Sequence, residues 1–458
     1  MKSLILLAVS LPAVAAPPLR LHPENPHYFL FRGRPTVLIT SGEHYGAVIN
    51  LDFDYKAYLA ELRRHDLNLT RTFAGTYREV PGSFSIGNNT LAPNDDRFLC
   101  PWLRRENQFD LTRWNPTYFA RLKAFLREAS RHGVVVELNL FCPFYRDEMW
   151  RVSPFNTVPR LEAFTLEHPS ITQAQLDFVR KIASELRDFD NLYYEIANEP
   201  YFGGITLEWQ RKIARTIAEA EAGVADKHLI SQNIANGSST VANPDPLVSI
   251  FNFHYSRPPE SVAMNHALNR VIGMNETGFD GSADATYRIQ GWDFLMAGGA
   301  LYNNLDYSFA AGHERGDFHY GDKTPGGGSA ELRRQLGVLH GFLRQLDFVH
   351  MAPAPGMIIG GTPEGTSARV LAQAGKIYAV YLHRGHVVKD AKPSYQVDSA
   401  SHPTKLIMEL PKGRYVVGWL DPKSGRWTGR RTVTHTGGAS TLESPAYRED
   451  VALLVRAI

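Results

Sequence analysis

The chain has 458 residues, of which 43% are hydrophobic and 21% charged, and its 49 basic and 47 acidic residues leave a formal net charge of +2. Nothing in this balance indicates nucleic acid or an anionic membrane as the main partner, because no long run of either sign occurs. The length suits one large domain followed by a smaller one.

The N-terminus has the three parts of an export signal. Lys2 precedes the apolar run 4–11, and Ala13-Val14-Ala15 fits the small-x-small pattern of a cleavage site. We therefore expect residues 1–16 to be a signal peptide and the mature protein to be secreted or periplasmic; the alternative is a buried N-terminal helix. No later segment has the roughly 18 uninterrupted apolar residues that a membrane helix needs.

Apolar runs alternate with helical patterns from about residue 20 to residue 346. Strands are predicted over 36–45, 68–73, 134–141, 192–199, 228–234, 248–255, 270–277 and 299–309, and helices over 54–67, 115–133, 171–189, 207–223, 283–298 and 329–346. This alternation is typical of a parallel sheet covered by helices, and eight units favour a closed (β/α)₈ TIM barrel over residues 17–350. The glycine motifs of nucleotide-binding folds are absent.

The pattern changes after residue 350 to short, alternating β-rich runs with turns such as 421–425. This predicts a small antiparallel β-sandwich domain over 351–458. We expect it to pack against the barrel as structural support.

Two long connections, 74–114 and 309–328, leave the carboxyl ends of predicted strands, where barrel sites are built. The second holds His313, Glu314, Asp317 and His319, close after Asp306. These could bind a metal, but unpatterned polar residues in a glycine-rich loop are usually solvated. We expect no metal and no cofactor.

Two cysteines are present, Cys100 and Cys142. An exported compartment would permit a disulfide between them, and two separate buried thiols are the equal alternative. Their number and spacing do not match a zinc site.

Two glutamates end predicted strands on opposite sides of the barrel. Glu199 ends the fourth strand in "YYEIANEP", and Glu276 ends the seventh in "VIGMNETG". Side chains at both positions reach the barrel's functional face. Glycoside hydrolysis needs such a carboxyl pair, one member neutral to protonate the leaving oxygen and the other ionised. A lone Asn-Glu-Pro more often marks a turn, but the second glutamate favours chemistry.

These two segments resemble the acid/base and nucleophile strands of clan A glycoside hydrolases, the (β/α)₈ group that includes the cellulase-like family 5, and the resemblance covers residues 25–346. It implies that Glu199 is the acid/base and Glu276 the nucleophile. It also implies that Asn198 binds the sugar 2-hydroxyl and that Arg71, in "NLTRTF", bonds the nucleophile. A structural ion pair is the alternative for Arg71.

Further site residues are expected at other strand ends. His44, after strand one, and Asn139, on strand three, are candidates for sugar hydroxyls. Family 5 commonly has His-x-Tyr at the end of strand six, whereas His254 and Tyr255 are adjacent here. Only one of the two should point inward, unless the strand ends before them.

Family 5 also tends to place a tryptophan on strand eight as the floor of the sugar site. This chain offers Tyr302, Asn303 and Asn304 instead. Segments 29–45 and 413–455 are similar to apiosidase-like barrel proteins, whose C-terminal module is named for collagen binding.

The resulting hypothesis is a secreted retaining glycoside hydrolase that acts on an oligo- or polysaccharide of plant or microbial origin. A transglycosylase with the same residues and an inactive carbohydrate-binding barrel are the alternatives. Neither nucleic acid nor a membrane is expected as a partner, and oligomeric state, sugar and linkage stay open.

Overall fold

The computed structural model describes residues 17–106 and 108–458. The predicted signal peptide, 1–16, lies outside the described residues.

Eight parallel strands form the central sheet. They are β1 (Leu38–Gly42), β2 (Leu69–Phe73), β3 (Val135–Phe141), β4 (Leu192–Ala197), β5 (Ile230–Asn236), β6 (Ile250–His254), β7 (Val271–Glu276) and β8 (Leu301–Leu305). Their order is β1-β8-β7-β6-β5-β4-β3-β2. The end strands β1 and β2 are neighbours too, since the Asn68 amide donates to Ile39 O and the Phe73 amide donates to Tyr45 O. The predicted TIM barrel is confirmed.

Helices alternate with most of these strands along the chain, and the last helix follows β8. They are α1 (Tyr55–Arg64), α2 (Pro116–His132), α3 (Asp147–Trp150), α4 (Pro169–Leu186), α5 (Leu207–Ala220), α6 (Glu260–Asn265), α7 (Asp284–Met296) and α8 (Ala330–Leu343). Local sequence explains their ends: Asn115 caps α2 by accepting from the Thr117 amide, and Gly133 ends it with φ 72°. Every residue of β3 is buried, as its continuous apolar character predicts.

The remaining strands of the first 350 residues lie outside the barrel sheet. Arg20–Leu21, Phe29–Phe31 and Arg34–Thr36 form a small antiparallel sheet. Trp102–Arg105 and Gln108–Trp114 form a hairpin within the long connection after β2. This connection lies at the carboxyl end of β2, and so on the functional face of the barrel.

Antiparallel sheets make up the C-terminal region, as predicted. The largest contains Ala352–Pro353, Ser367–Gln373, Ile377–His383, Asp450–Ala457, Gly413–Leu420 and Trp427–His435, in that order. A second contains Ile358–Gly360, Lys405–Leu410 and Gly438–Glu443; two-stranded pairs join Gly385–Val387 to Tyr395–Val397 and Ser401–His402 to Tyr447–Arg448.

The C-terminal sheets pack on α7 of the barrel. The Trp292 and Tyr381 rings stack with centroids 5.2 Å apart and planes 20° apart. Beside them the buried Arg288 guanidinium donates to both Asp450 oxygens, at 3.0 and 2.8 Å. Movement of the C-terminal sheets along α7 would separate Arg288 from Asp450 and leave a buried charge unpaired, so this contact fixes the sheets on the helix.

Cys100 and Cys142 are both buried and free. Of the two alternatives that the sequence left open, the structure therefore has two separate thiols and not a disulfide. Burial raises the pKa of the Cys100 thiol to about 12. Among the described residues, none of the helices has the length and apolar character needed to span a membrane.

Candidate active site

Glu199 and Glu276 meet at the carboxyl end of the barrel. Both line a cleft of about 580 Å³, and they are 8% and 6% exposed. One oxygen of each carboxylate and one ring nitrogen of His254 all lie within 4.8 Å of one another. The two glutamates named from the sequence therefore form a single carboxyl pair.

Three groups other than histidine hold the Glu276 carboxylate. Tyr45 and Tyr255 donate their hydroxyls to Oε2 and Oε1 at 2.8 and 2.6 Å, and Arg71 Nη1 donates to Oε2 at 3.2 Å. Burial alone would raise the pKa of Glu276, but the His254 imidazole, Arg71 and Tyr255 outweigh it and hold the pKa well below its ordinary value. Glu276 is ionised at neutral pH.

Glu199 has a different environment. Tyr145 donates its hydroxyl to Glu199 Oε2 at 2.6 Å, and His254 Nδ1 lies 3.2 Å from Oε1. The Glu199 backbone has φ 35°, in the left-handed region between β4 and Pro200. Such strain in a non-glycine residue persists where the surroundings fix it, commonly at active sites.

His254 lies between the two carboxylates. Its Nδ1 is 3.2 Å from Glu199 Oε1 and 3.3 Å from Glu276 Oε1. Burial alone would lower the pKa of His254, but the carboxylates of Glu276 and Glu199 raise it to about 9. A protonated imidazole therefore bridges the pair at neutral pH.

Tyr255 also reaches the site, although it is adjacent to His254. Strand β6 ends at His254, where its register against β7 shifts, and Tyr255 has φ 51°. Strand alternation therefore no longer applies at Tyr255. The strand includes His254 and ends before Tyr255, so the expected exception, a strand that ends before both residues, applies to Tyr255 alone.

Arg71 lies beneath the cleft and does not line it. It is buried and donates to Glu137 Oε1 at 2.7 Å, to Glu195 and to Asn198 Oδ1 at 2.7 Å, besides Glu276. Burial and the neighbouring Glu195 carboxylate raise the pKa of Glu137, so Glu137 can hold a proton. Arg71 thus contacts the nucleophile as expected, as a positioning residue that does not touch the cleft.

Asn198 and His44 line the cleft. Asn198 Nδ2 donates to the Tyr145 hydroxyl at 2.8 Å and, more weakly, to Cys142 Sγ at 3.7 Å. His44 Nε2 lies 3.3 Å from Glu79 Oε1. Both positions suit the binding roles expected for them.

Five expected binding residues do not line the cleft: Arg71, Asn139, His254, Tyr302 and Asn303. Asn139 is buried in β3, without a side-chain hydrogen bond to the described residues. Tyr302 faces α7, where its hydroxyl donates to Tyr287 O at 2.7 Å; a Cβ on Gly291 would lie 2.9 Å from its ring. Asn303 Nδ2 donates to Asn275 O at 2.9 Å inside the barrel. Strand alternation separates Tyr302 from Asn303, and neither reaches the cleft.

Sequence reasoning missed Tyr45, Tyr145 and Glu79. Tyr45 follows His44, and Tyr145 lies in the connection after β3, where no spacing marks it. Glu79 is a third cleft carboxylate, held by the Tyr77 hydroxyl at 3.2 Å and Asn89 Nδ2 at 2.5 Å. The one available signal was its place in the long connection already expected to be functional.

Glu199, His254 and Glu276 form the one group of three or more metal-ligating side chains found among the described residues. The charges around this group favour a proton on His254 over a metal ion, because the pKa of His254 is raised and the Arg71 cation already contacts Glu276. In the loop after β8, Glu314 accepts from the amides of Asp54 and Gly312 at 3.0 and 2.9 Å. Glu314 closes turns in this loop.

Comparisons with known proteins give the fold. No family model matches the chain, and no curated protein matches it. A candidate glycoside hydrolase from Bacteroides vulgatus ATCC 8482 is 14% identical, with 97% of this chain and 83% of that chain covered and a TM-score of 0.68. A second structure, described as a glycoside hydrolase, is 12% identical over 96% and 97% of the chains, with a TM-score of 0.64.

A glycoside hydrolase family 5 protein from the same Bacteroides strain is 13% identical over 96% and 93% of the chains, with a TM-score of 0.63. These proteins share the barrel and the C-terminal sheets with this chain. At such identities the likeness shows the fold alone.

Proposed function

We propose that this protein is a secreted retaining glycoside hydrolase, with Glu276 as nucleophile and Glu199 as acid/base. The observation that carries the proposal is that one oxygen of the Glu199 carboxylate lies within 4.8 Å of one oxygen of the Glu276 carboxylate. Retaining enzymes separate their carboxyl groups by roughly 5 to 5.5 Å, whereas inverting enzymes leave about 6.5 to 9.5 Å for a water molecule.

The different surroundings of Glu276 and Glu199 suit the two steps of a retaining reaction. In the first step a Glu276 oxygen bonds to the anomeric carbon while the bond to the leaving oxygen breaks, and Glu199 gives that oxygen its proton. In the second step Glu199 removes a proton from water, whose oxygen displaces Glu276 from the same carbon. The ionised state of Glu276 supplies the electron pair, and the protonated His254 beside Glu199 keeps a proton close to the leaving oxygen.

The cleft walls indicate a carbohydrate ligand. Aromatic rings surround the carboxyl pair, and those of Phe202 and Phe279 lie at its rim, 53% and 38% exposed. Exposed rings next to hydrogen-bonding groups suit sugars, which have apolar faces and polar edges. The neighbouring folds named as glycoside hydrolases agree with this substrate class.

The test is a screen of 2,4-dinitrophenyl glycosides, then NMR of the first-formed anomer from the best substrate. The proposal expects retained configuration, and the matching 2-deoxy-2-fluoro glycoside should label a peptide that contains Glu276. An inverted product, or label on Glu199, would overturn it.

A further inference from the structure

The C-terminal region touches the catalytic face of the barrel through one hairpin. Its strands Gly385–Val387 and Tyr395–Val397 pair antiparallel. Between them, Ser394 Oγ donates to Asp280 Oδ1 at 3.0 Å. Asp280 lies just after β7, four residues beyond the nucleophile candidate Glu276.

Asp280 is a fully engaged buried carboxylate. It is 1% exposed, and Arg257 lies against both of its oxygens, with Nε 2.6 Å from Oδ2 and Nη2 2.7 Å from Oδ1. Gln290 Nε2 donates to Oδ2 at 2.9 Å. With Ser394, three side-chain hydrogen bonds and the ion pair with Arg257 hold this carboxylate, so the orientation of Asp280 is fixed. Asp280 in turn fixes Arg257, which lines the cleft.

Arg257 restrains the strained residue next to it. Its Nη1 donates to Tyr255 O at 3.0 Å, and its guanidinium carbon lies 5.4 Å from the centre of the Tyr255 ring. A bulky residue at φ 51° is held there only where neighbouring groups fix it. That backbone conformation directs the Tyr255 hydroxyl to Glu276 Oε1, 2.6 Å away.

We propose that Ser394 of the C-terminal region is a positioning residue for the nucleophile, acting through Asp280, Arg257 and Tyr255 on Glu276. The region then completes the active site as well as supporting the barrel. The inference rests on the proposed function for its effect on rate, but its structural part can be tested without turnover.

The first test is hydrogen–deuterium exchange on full-length Ser394→Ala. The amides of Tyr255 and Arg257 donate to Glu276 O at 3.0 Å and Tyr255 O at 2.9 Å, so they report on this segment. Their exchange should rise in Ser394→Ala and return to the wild-type rate in Ser394→Thr, which keeps the hydroxyl. The matched control is Ser424→Ala, since Ser424 donates to Asp421 at 2.5 Å inside the C-terminal region. Unchanged exchange in Ser394→Ala, or an equal rise in the control, would overturn the proposal.

The second test is a double-mutant cycle on the best aryl glycoside. Ser394→Ala should lower kcat by about fivefold with little change in KM, and should have no further effect in a Tyr255→Phe background. Independent, multiplying losses would refute the route through Tyr255. A wild type that hydrolyses no glycoside would reject the proposed function, while the exchange measurement still decides the positioning role.

Discussion

Replacing Glu199 by alanine separates the two steps of the proposed reaction. The change leaves the hydrogen bonds of Glu276 to Tyr45, Tyr255 and Arg71 in place, so the nucleophile stays ionised and oriented. A dinitrophenolate leaving group needs no proton, and the first step should therefore proceed. The second step loses its base and should slow by about 10²- to 10⁴-fold, the usual contribution of a positioned acid or base.

Azide should restore much of the lost rate. The lost carboxylate leaves a space against the Tyr145 hydroxyl, which donated to it at 2.6 Å, and a small anion can enter there without a base. With a β-glycoside the product should be the β-glycosyl azide, because azide displaces Glu276 from the face that water would use. Stopped-flow release of dinitrophenolate should show a burst, and NMR identifies the azide.

Two further variants test whether azide rescue with a retained anomer is specific to the loss of Glu199. Glu276→Gly should show no burst, and azide should give the opposite anomer by direct displacement. Glu79→Gln, which alters the third cleft carboxylate, should give no glycosyl azide, because both catalytic carboxylates remain. Azide rescue with the same anomer in Glu199→Ala and Glu276→Gly would refute the reasoning.

Four other outcomes are expected. Tyr145→Phe should lower kcat/KM by about 5- to 100-fold, since it leaves the buried Glu199 Oε2 without its donor, which costs about 1–3 kcal/mol; an unchanged value contradicts this. Because the pKa of His254 is raised to about 9, its stabilising charge is fully present below about pH 6.5 and is lost as the pH rises through 9. The difference in Tm between wild type and His254→Asn should therefore shrink as the pH rises across that interval. A Tm difference that stays constant with pH would contradict this prediction. Truncation after residue 350 should lower the Tm, while the folded fraction keeps reduced but measurable turnover; a well-folded fragment without turnover contradicts this. Intact mass of exported protein should show cleavage near Ala15, and a full-length mass would oppose it.

The barrel was predictable because its strands are mostly apolar runs and because four of its helices, α1, α2, α5 and α8, begin at side-chain caps. Segment 115–133, with an Asn cap and a closing glycine, becomes α2 within one residue at each end. Glu199 and Glu276 were predictable as a pair, because two glutamates that end strands on opposite sides of a barrel indicate one site, whereas either alone could mark a turn. These signals are local, so one sequence suffices to read them.

The rest of the site depends on geometry that local sequence does not encode. Tyr145 is one of 20 tyrosines, and only the path of the connection after β3 brings it to Glu199. The side chain of Tyr255 reaches the active site because its backbone has a positive φ. The identity of the residue does not predict that conformation. Tyr302 fails as a sugar-binding candidate because position along β8 does not tell which face of the strand borders the cleft.

The charges inside the barrel argue against an exchange of roles between the two glutamates. The buried guanidinium of Arg71 contacts three carboxylates, those of Glu137, Glu195 and Glu276. One positive charge cannot balance three negative ones, so this cluster stays near neutrality only if some carboxylates hold protons. Burial and the Glu195 carboxylate raise the pKa of Glu137, so Glu137 can hold such a proton and leave the guanidinium charge to Glu195 and Glu276. Glu199 contacts His254 and Tyr145 and has no hydrogen bond to Arg71 among the described residues. His254 Nδ1 lies 3.2 Å from Glu199 Oε1 and 3.3 Å from Glu276 Oε1 and so does not distinguish the two, but the fixed positive charge of Arg71 contacts Glu276 and favours the anion there.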